Sequence, residues 1–187
     1  MNRAKSYFKY IACLESFWNE DVVNRLSVVP VLELLSKTNG TSSIYLTCNT
    51  MQEFEYNLGI YKGIKGCGIL YLAFHGYPGG IRLPDLKIDI ETLASLMGRK
   101  FRNWIIYFDS CSTLKIEKER ILNFLTKTGA IMVMGYKNQL NWIDGAAIDL
   151  LVLDRLQYYR DMKRFWNRFR KAYKDLIRIT GMVVYHQ

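Results

Sequence analysis

The strongest constraint on how this chain can fold is a pair of continuous apolar runs, each ending in a side chain capable of chemistry. Ile69-Leu-Tyr-Leu-Ala-Phe runs into His75-Gly76, and Trp104-Ile-Ile-Tyr-Phe runs into Asp109-Ser-Cys111. A strand with one face in water alternates apolar and polar residues. These runs do not alternate, so both faces must be covered, and they read as buried parallel strands. In an open α/β sheet the reacting groups sit just past the carboxyl ends of such strands. His75 and Cys111 are therefore expected at one edge of one sheet.

The surrounding pattern repeats strand and helix. Ser43–Thr47 is a short β-prone run, followed by a helix over Met51–Tyr61. The glycine-rich turn after His75 leads into Ile81–Leu83 and Leu86–Ile88, which flank Pro84-Asp85 as a small hairpin. Helices are expected over Ile90–Met97, Lys115–Thr126 and Asp144–Tyr158, with a buried strand over Ala130–Met134. Upstream, apolar residues at helical intervals from Ala4 to Leu35 predict a broken helix, then a helix with Pro30 in its first turn that stops before Asn39-Gly40. Gly181–Tyr185 would add a last strand. This order demands right-handed crossovers, so the fold class is α/β, with a mainly parallel central sheet and helices on both faces. No repeat or linker divides residues 1–187, and one domain is expected.

Composition narrows the class further. Half of the 187 residues are apolar, enough for one sizeable core. No apolar run approaches the ~20 residues of a membrane-spanning helix. Met1–Tyr7 lacks the apolar centre of a signal peptide, so a cytoplasmic location without membrane attachment is expected. Four cysteines without a CxxC pair, and only two histidines, argue against a metal site, and no cofactor is expected. Cys13, Cys48 and Cys67 read as small buried hydrophobes. Cys111 differs because it follows an acid at a strand end.

A thiol attacks a peptide carbonyl efficiently only as thiolate, so it needs an imidazole to take its proton and return it to the leaving amine. His75 supplies that base, and the other histidine, His186, lies next to the last residue. Gly76 leaves room for a substrate backbone. Its amide and that of Cys111 are the candidate oxyanion donors, each worth about 3–4 kcal/mol in other hydrolases. The sequence layout is that of a cysteine-nucleophile hydrolase with a His75–Cys111 dyad. From the residues alone, Asp109 can cap the turn behind Cys111, since a carboxylate is a good acceptor for turn amides.

Ala73-Phe-His75-Gly76 and Phe108-Asp-Ser-Cys111-Ser resemble the His-Gly and Asp-Ser-Cys motifs of the caspase-like cysteine peptidases, clan CD, which include metacaspases and CHAT proteases. Gly129–Tyr136 and Asn141-Trp142-Ile-Asp144 resemble the strand, tryptophan-bearing loop and helix that follow the nucleophile there, so the likeness spans residues 43–158. It implies a three-layer caspase-like fold in a minimal single-domain bacterial member. It also implies a thiol protease with His75 as base and Cys111 as nucleophile, and a pocket for a basic P1 side chain lined by Asp109. Asp144 and Trp142 are further pocket candidates; capping is the alternative for Asp144, and a core position for Trp142. Family analogy adds a bacterial antiviral defence or cell-death setting. A catalytically silent caspase-like scaffold and a nucleic-acid-binding α/β module that uses the basic C-terminal helix are the alternative functions.

Residues 154–178 hold nine Lys or Arg against three Asp, six of the nine net positive charges. Apolar residues at 162, 165, 166, 169, 173, 176 and 177 define the buried face of one amphipathic helix over about 155–178. Its cationic face is expected to be solvated or to dock a partner. Nucleic acid is a further candidate, because clustered cations attract phosphate without needing residues that read bases, but Trp166 and Phe169 look more like core than stacking platforms. The expected partners are a protein substrate and a regulatory protein or a second copy of the chain.

Overall fold

The computed structural model describes residues 7–19, 23, 25–64 and 68–186; Cys67 and the first six residues lie outside them. In chain order the elements are β1 (Tyr10–Glu15), α1 (Val29–Asn39), β2 (Ser43–Thr47), α2 (Met51–Lys62), β3 (Gly68–Ala73), β4 (His75–Tyr77), β5 (Gly80–Leu83), β6 (Leu86–Asp89), α3 (Ile90–Met97), β7 (Ile105–Asp109), α4 (Lys118–Thr128), β8 (Met132–Tyr136), α5 (Trp142–Leu156), α6 (Met162–Ala172), α7 (Lys174–Thr180) and β9 (Met182–His186). Six strands form the main sheet in the order β2-β1-β3-β7-β8-β9, and β4-β5-β6 form a small antiparallel sheet. Every neighbouring pair of the main sheet is parallel except β8 with β9.

The missing alternation in the two apolar runs follows from the layers. On β3, Leu70 and Leu72 face one core together with Phe54 and Leu58 of α2, Leu93 of α3 and Phe124 of α4. Ile69, Tyr71 and Ala73 face the other, with Leu32 of α1, Ile148 and Val152 of α5, and Phe165 of α6. Each fully buried Leu, Ile or Phe contributes about 1.5–3 kcal/mol. Helices therefore cover both faces of a mainly parallel sheet.

Several boundaries differ from expectation, each for a local reason. Tyr10–Glu15 is a strand, not part of a helix, and it lies inside the sheet between β2 and β3. Ile11 to Leu14 are all buried, and an apolar run this short has no periodicity to separate a buried strand from a helix. The fourth helix begins at Lys118 rather than Lys115, because residues 110–114 fold into the turns that hold Cys111. The strand expected over Ala130–Met134 runs over Met132–Tyr136. The next helix starts at Trp142, two residues before Asp144, because the Asn141 side chain accepts from the Asp144 amide and caps it. The single basic helix is two: Tyr173, at φ −123° and ψ 38°, separates α6 from α7. Met182–His186 does form a last strand, antiparallel to β8.

Candidate active site

Parallel register brings the carboxyl ends of three strands into one row. Glu15 of β1 pairs with Ala73 of β3, which pairs with Asp109 of β7. The chain leaves β3 at Phe74, whose amide donates to the Asp109 carbonyl at 3.1 Å. His75 then opens the hairpin strand β4, so it stands above the sheet edge rather than within it.

Beyond Asp109 the chain turns sharply. Ser112 adopts φ 63°, uncommon for a residue with a side chain, and its amide donates to the Asn138 carbonyl at 3.1 Å. The Gly79 amide donates to the Thr113 carbonyl, and the Thr113 hydroxyl donates to the Gly80 carbonyl at 2.9 Å. These bonds clamp the turn after Cys111 to the hairpin that carries His75. At Gly76 the two meet so closely that a Cβ would stand 2.2 Å from the Cys111 carbonyl oxygen and 2.9 Å from its nitrogen. Only glycine fits there.

His75 is exposed, and its Nε2 lies 2.7 Å from the Trp18 carbonyl oxygen. A carbonyl can only accept, so Nε2 carries a proton and Nδ1 holds the lone pair of the neutral ring. Trp18 is itself tethered: its Nε1–H donates to Glu15 at 2.6 Å. Its ring edge meets both His75, at 5.3 Å between centroids, and Trp142, at 5.1 Å. Glu15 is buried and also accepts from the Ser27 hydroxyl, the Val28 amide and the Tyr45 hydroxyl. Cys111 is half-buried, and its Sγ accepts from the Leu140 amide at 3.4 Å.

His75, Gly76, Asp109, Cys111, Trp18 and Trp142 line one cavity of about 400 Å³. Asp149 of α5 joins them, and among the described residues no lysine or arginine lines the cavity. The Tyr71 hydroxyl lies 2.8 Å from Asp109 and 2.7 Å from Asp149. Tyr107 and Tyr136 donate to the other oxygen of Asp149. Burial, reinforced by the neighbouring Asp149, raises the Asp109 carboxyl well above the ordinary range. Burial raises Asp149 too, opposed by its tyrosine donors.

The expected site residues thus divide. His75, Gly76, Cys111, Asp109 and Trp142 share the cavity. Trp142 forms part of its wall while also packing against the core. Asp109 bonds to Tyr71 and is not the cap of the following turn. Asp144 lies outside the lining, held by Asn141 at the start of α5. Glu15, Trp18 and Asp149 escape the sequence reading. Glu15 carried a signal, since Tyr10-Ile-Ala-Cys-Leu-Glu15 is a third apolar run ending in an acid; Asp149, inside a helix, carried none.

Among the described residues, the other two cysteines, Cys13 and Cys48, are inert by environment. Cys13 and Cys48 are fully buried; burial raises the Cys13 thiol and pushes Cys48 up to about 12. Among the described residues no cluster of three or more His, Cys, Asp or Glu is placed to hold a metal ion, and no helix is long and apolar enough to cross a membrane.

The fold is caspase-like. The solved structure of pro-sf-caspase-1 superposes with a TM-score of 0.56 over 90% of this chain and 82% of that one, at 10% sequence identity. No curated protein matches the sequence. The model of a family of unknown function, DUF6642, matches residues 8–186, nearly the whole chain and well beyond the 43–158 stretch that carries the motifs, and the chain belongs to that family.

Proposed function

We propose that this protein is a cysteine endopeptidase that cleaves a protein substrate after a basic residue, with Cys111 as nucleophile and His75 as base. The observation that carries this reading is the shared cavity, in which a half-buried thiol, an imidazole and two carboxylates converge without a lining cation. With Nε2–H committed to the Trp18 carbonyl, Nδ1 is the nitrogen that takes the thiol proton. The thiolate adds to the scissile carbonyl, and the amides of Gly76 and Cys111 are the donors for the resulting oxyanion. The imidazolium then protonates the leaving amine, and water, deprotonated by the same ring, releases the acyl group from sulfur. Asp109, backed by the buried Asp149, offers a lysine or arginine side chain a charge-assisted contact that an acidic or neutral side chain cannot make.

Regulation by a protein partner or by self-association completes the proposal. The exposed cations Lys163, Arg164, Arg168 and Lys171 of α6 are the docking surface for an acidic partner, while Phe165 and Phe169 hold the helix on the core. The test is labelling of Cys111 by matched peptidyl electrophiles that differ only at P1. Arginine or lysine at P1 should label fastest, and Cys111→Ala and His75→Ala should each abolish labelling or turnover, with the double variant no worse. Full peptidase activity in Cys111→Ala refutes the proposal, and a preference for aspartate refutes the basic pocket.

A further inference from the structure

The cavity floor poses a problem of proton supply. The Tyr71 hydroxyl has one hydrogen, yet its oxygen lies 2.8 Å from an Asp109 oxygen and 2.7 Å from an Asp149 oxygen. It can donate to only one of them. The other contact, between two oxygens at hydrogen-bond distance, needs a second hydrogen, which only a carboxyl can provide. The far side of Asp149 offers no spare, because Tyr107 and Tyr136 have two hydroxyl hydrogens for three short contacts, two to its other oxygen and one between themselves. An additional proton on Asp109 completes the chain: Asp109 donates to Tyr71, and Tyr71 donates to Asp149.

The surroundings agree with a singly charged pair. Tyr71 from β3, Tyr107 from β7 and Tyr136 from β8 face it, with Cys13 and Glu15 of β1 behind Asp109. His75 and Cys111 share the cavity. Glu15 opposes a second negative charge, and the raised carboxyls point the same way. Asp109 is half-buried and faces the cavity, whereas Asp149 is buried with its oxygens held by tyrosines, so an entering cation meets Asp109 and reaches Asp149 through the shared Tyr71 bridge.

We propose that Asp109 and Asp149 together hold one proton while the cavity is empty and release it when a guanidinium or ammonium group enters. Asp149 is then a specificity-determining residue alongside Asp109, and recognition of the cation strengthens as pH rises. The inference rests on the reading of the cavity as a pocket for basic side chains. A neutral side chain of the same shape leaves the proton in place, so the pocket discriminates between them least at acid pH and most at alkaline pH.

Two measurements on the full chain separate this inference from the reading beneath it. Infrared difference spectra between wild type and Asp109→Asn, recorded at neutral pH without ligand, should contain the carbonyl stretch of a protonated carboxylic acid. Its absence overturns the shared proton whatever the pocket binds. Calorimetric titration with benzamidinium in phosphate and in Tris should show about one proton released per cation bound. Asp149→Asn should remove the release and weaken binding at least tenfold, while its melting curve confirms that it folds. Binding without proton release overturns the inference and leaves the basic pocket standing. No binding at all, with the carboxylic acid band present, removes the basic pocket and with it the expulsion of the proton.

Discussion

Gly76→Ala gives the most direct test of how the two halves of the site meet. A methyl group added at this position would lie 2.2 Å from the Cys111 carbonyl oxygen, 2.6 Å from the Thr113 hydroxyl and 2.9 Å from the Cys111 nitrogen. Ordinary contact begins near 3.4 Å, so the Cys111 peptide and the hairpin must separate by more than an ångström. The obstacle is backbone, which cannot swing aside as a long side chain can. Overpacking of this kind destabilises by about 1–3 kcal/mol. Misplacing a reacting group by about 1 Å lowers rate by about a hundredfold. The two effects can be read apart. Urea denaturation followed by circular dichroism measures the first, and the labelling rate of Cys111 by a peptidyl-arginyl electrophile, under conditions where the variant remains folded, measures the second. Iodoacetamide, which does not occupy the pocket or need the oxyanion donors, should react within a few-fold of the wild-type rate. Wild-type stability together with wild-type peptidyl labelling would refute the close apposition of Gly76 and Cys111.

Three further outcomes follow from neighbouring features. Burial raises the Asp109 carboxyl above its unfolded value, so between its unfolded and folded pKa the native state binds more protons and stability falls as pH rises, by about 1.4 kcal/mol per unit at most. Asp109→Asn should remove this component from urea midpoints measured from mildly acid to neutral pH; an unchanged pH profile contradicts it. Glu15→Gln turns an amide toward two of four donors and should cost about 1–3 kcal/mol. By loosening Trp18 it should also lower kcat more than it raises KM, and a variant equal to wild type in both respects would show that Trp18 needs no tether. Reversing Arg164, Arg168 and Lys171 to Glu should alter partner binding or solubility while short-peptide turnover stays within a few-fold, since exposed substitutions rarely exceed about 0.5 kcal/mol each; loss of turnover in the folded variant would tie α6 to the site.

What the sequence disclosed of this arrangement depended on whether the signal was local. His75 and Cys111 stand out because each ends an apolar run that has no alternation, and one physical cause, burial of both faces, produces that pattern. The hairpin around Pro84-Asp85 and the helix ending at Gly98 were legible for the same reason: turn chemistry acts within a few residues. The strand Tyr10–Glu15 was not, because the helical spacing of its neighbours masked a run whose partners lie some thirty and sixty residues further on. Asp149 looks like an ordinary polar residue on a helix that begins with a tryptophan. Only the register of β3 and β7, which pairs Tyr71 with Tyr107, and the placement of Tyr136 near the end of β8 make it the centre of a hydrogen-bonded cluster.

The position of β1 bears on how the molecule is made. Both of its sheet partners, β2 and β3, follow it in the chain and are complete by Ala73, so this half of the sheet can assemble as soon as that residue is available. It brings with it Glu15 and the loop that bears Trp18. The other half cannot: β7 needs β3 as its template, the turn after Cys111 needs the Tyr136 and Asn138 carbonyls, and β8 is flanked on its far side by β9, the last strand of all. During synthesis, where domains form from the N-terminal side onward, the seat of the histidine is thus built first and the cysteine is brought to it late. From the addition of Cys111 until β8 and β9 are in place, a nascent chain of this kind carries that thiol without the neighbours that surround it in the fold.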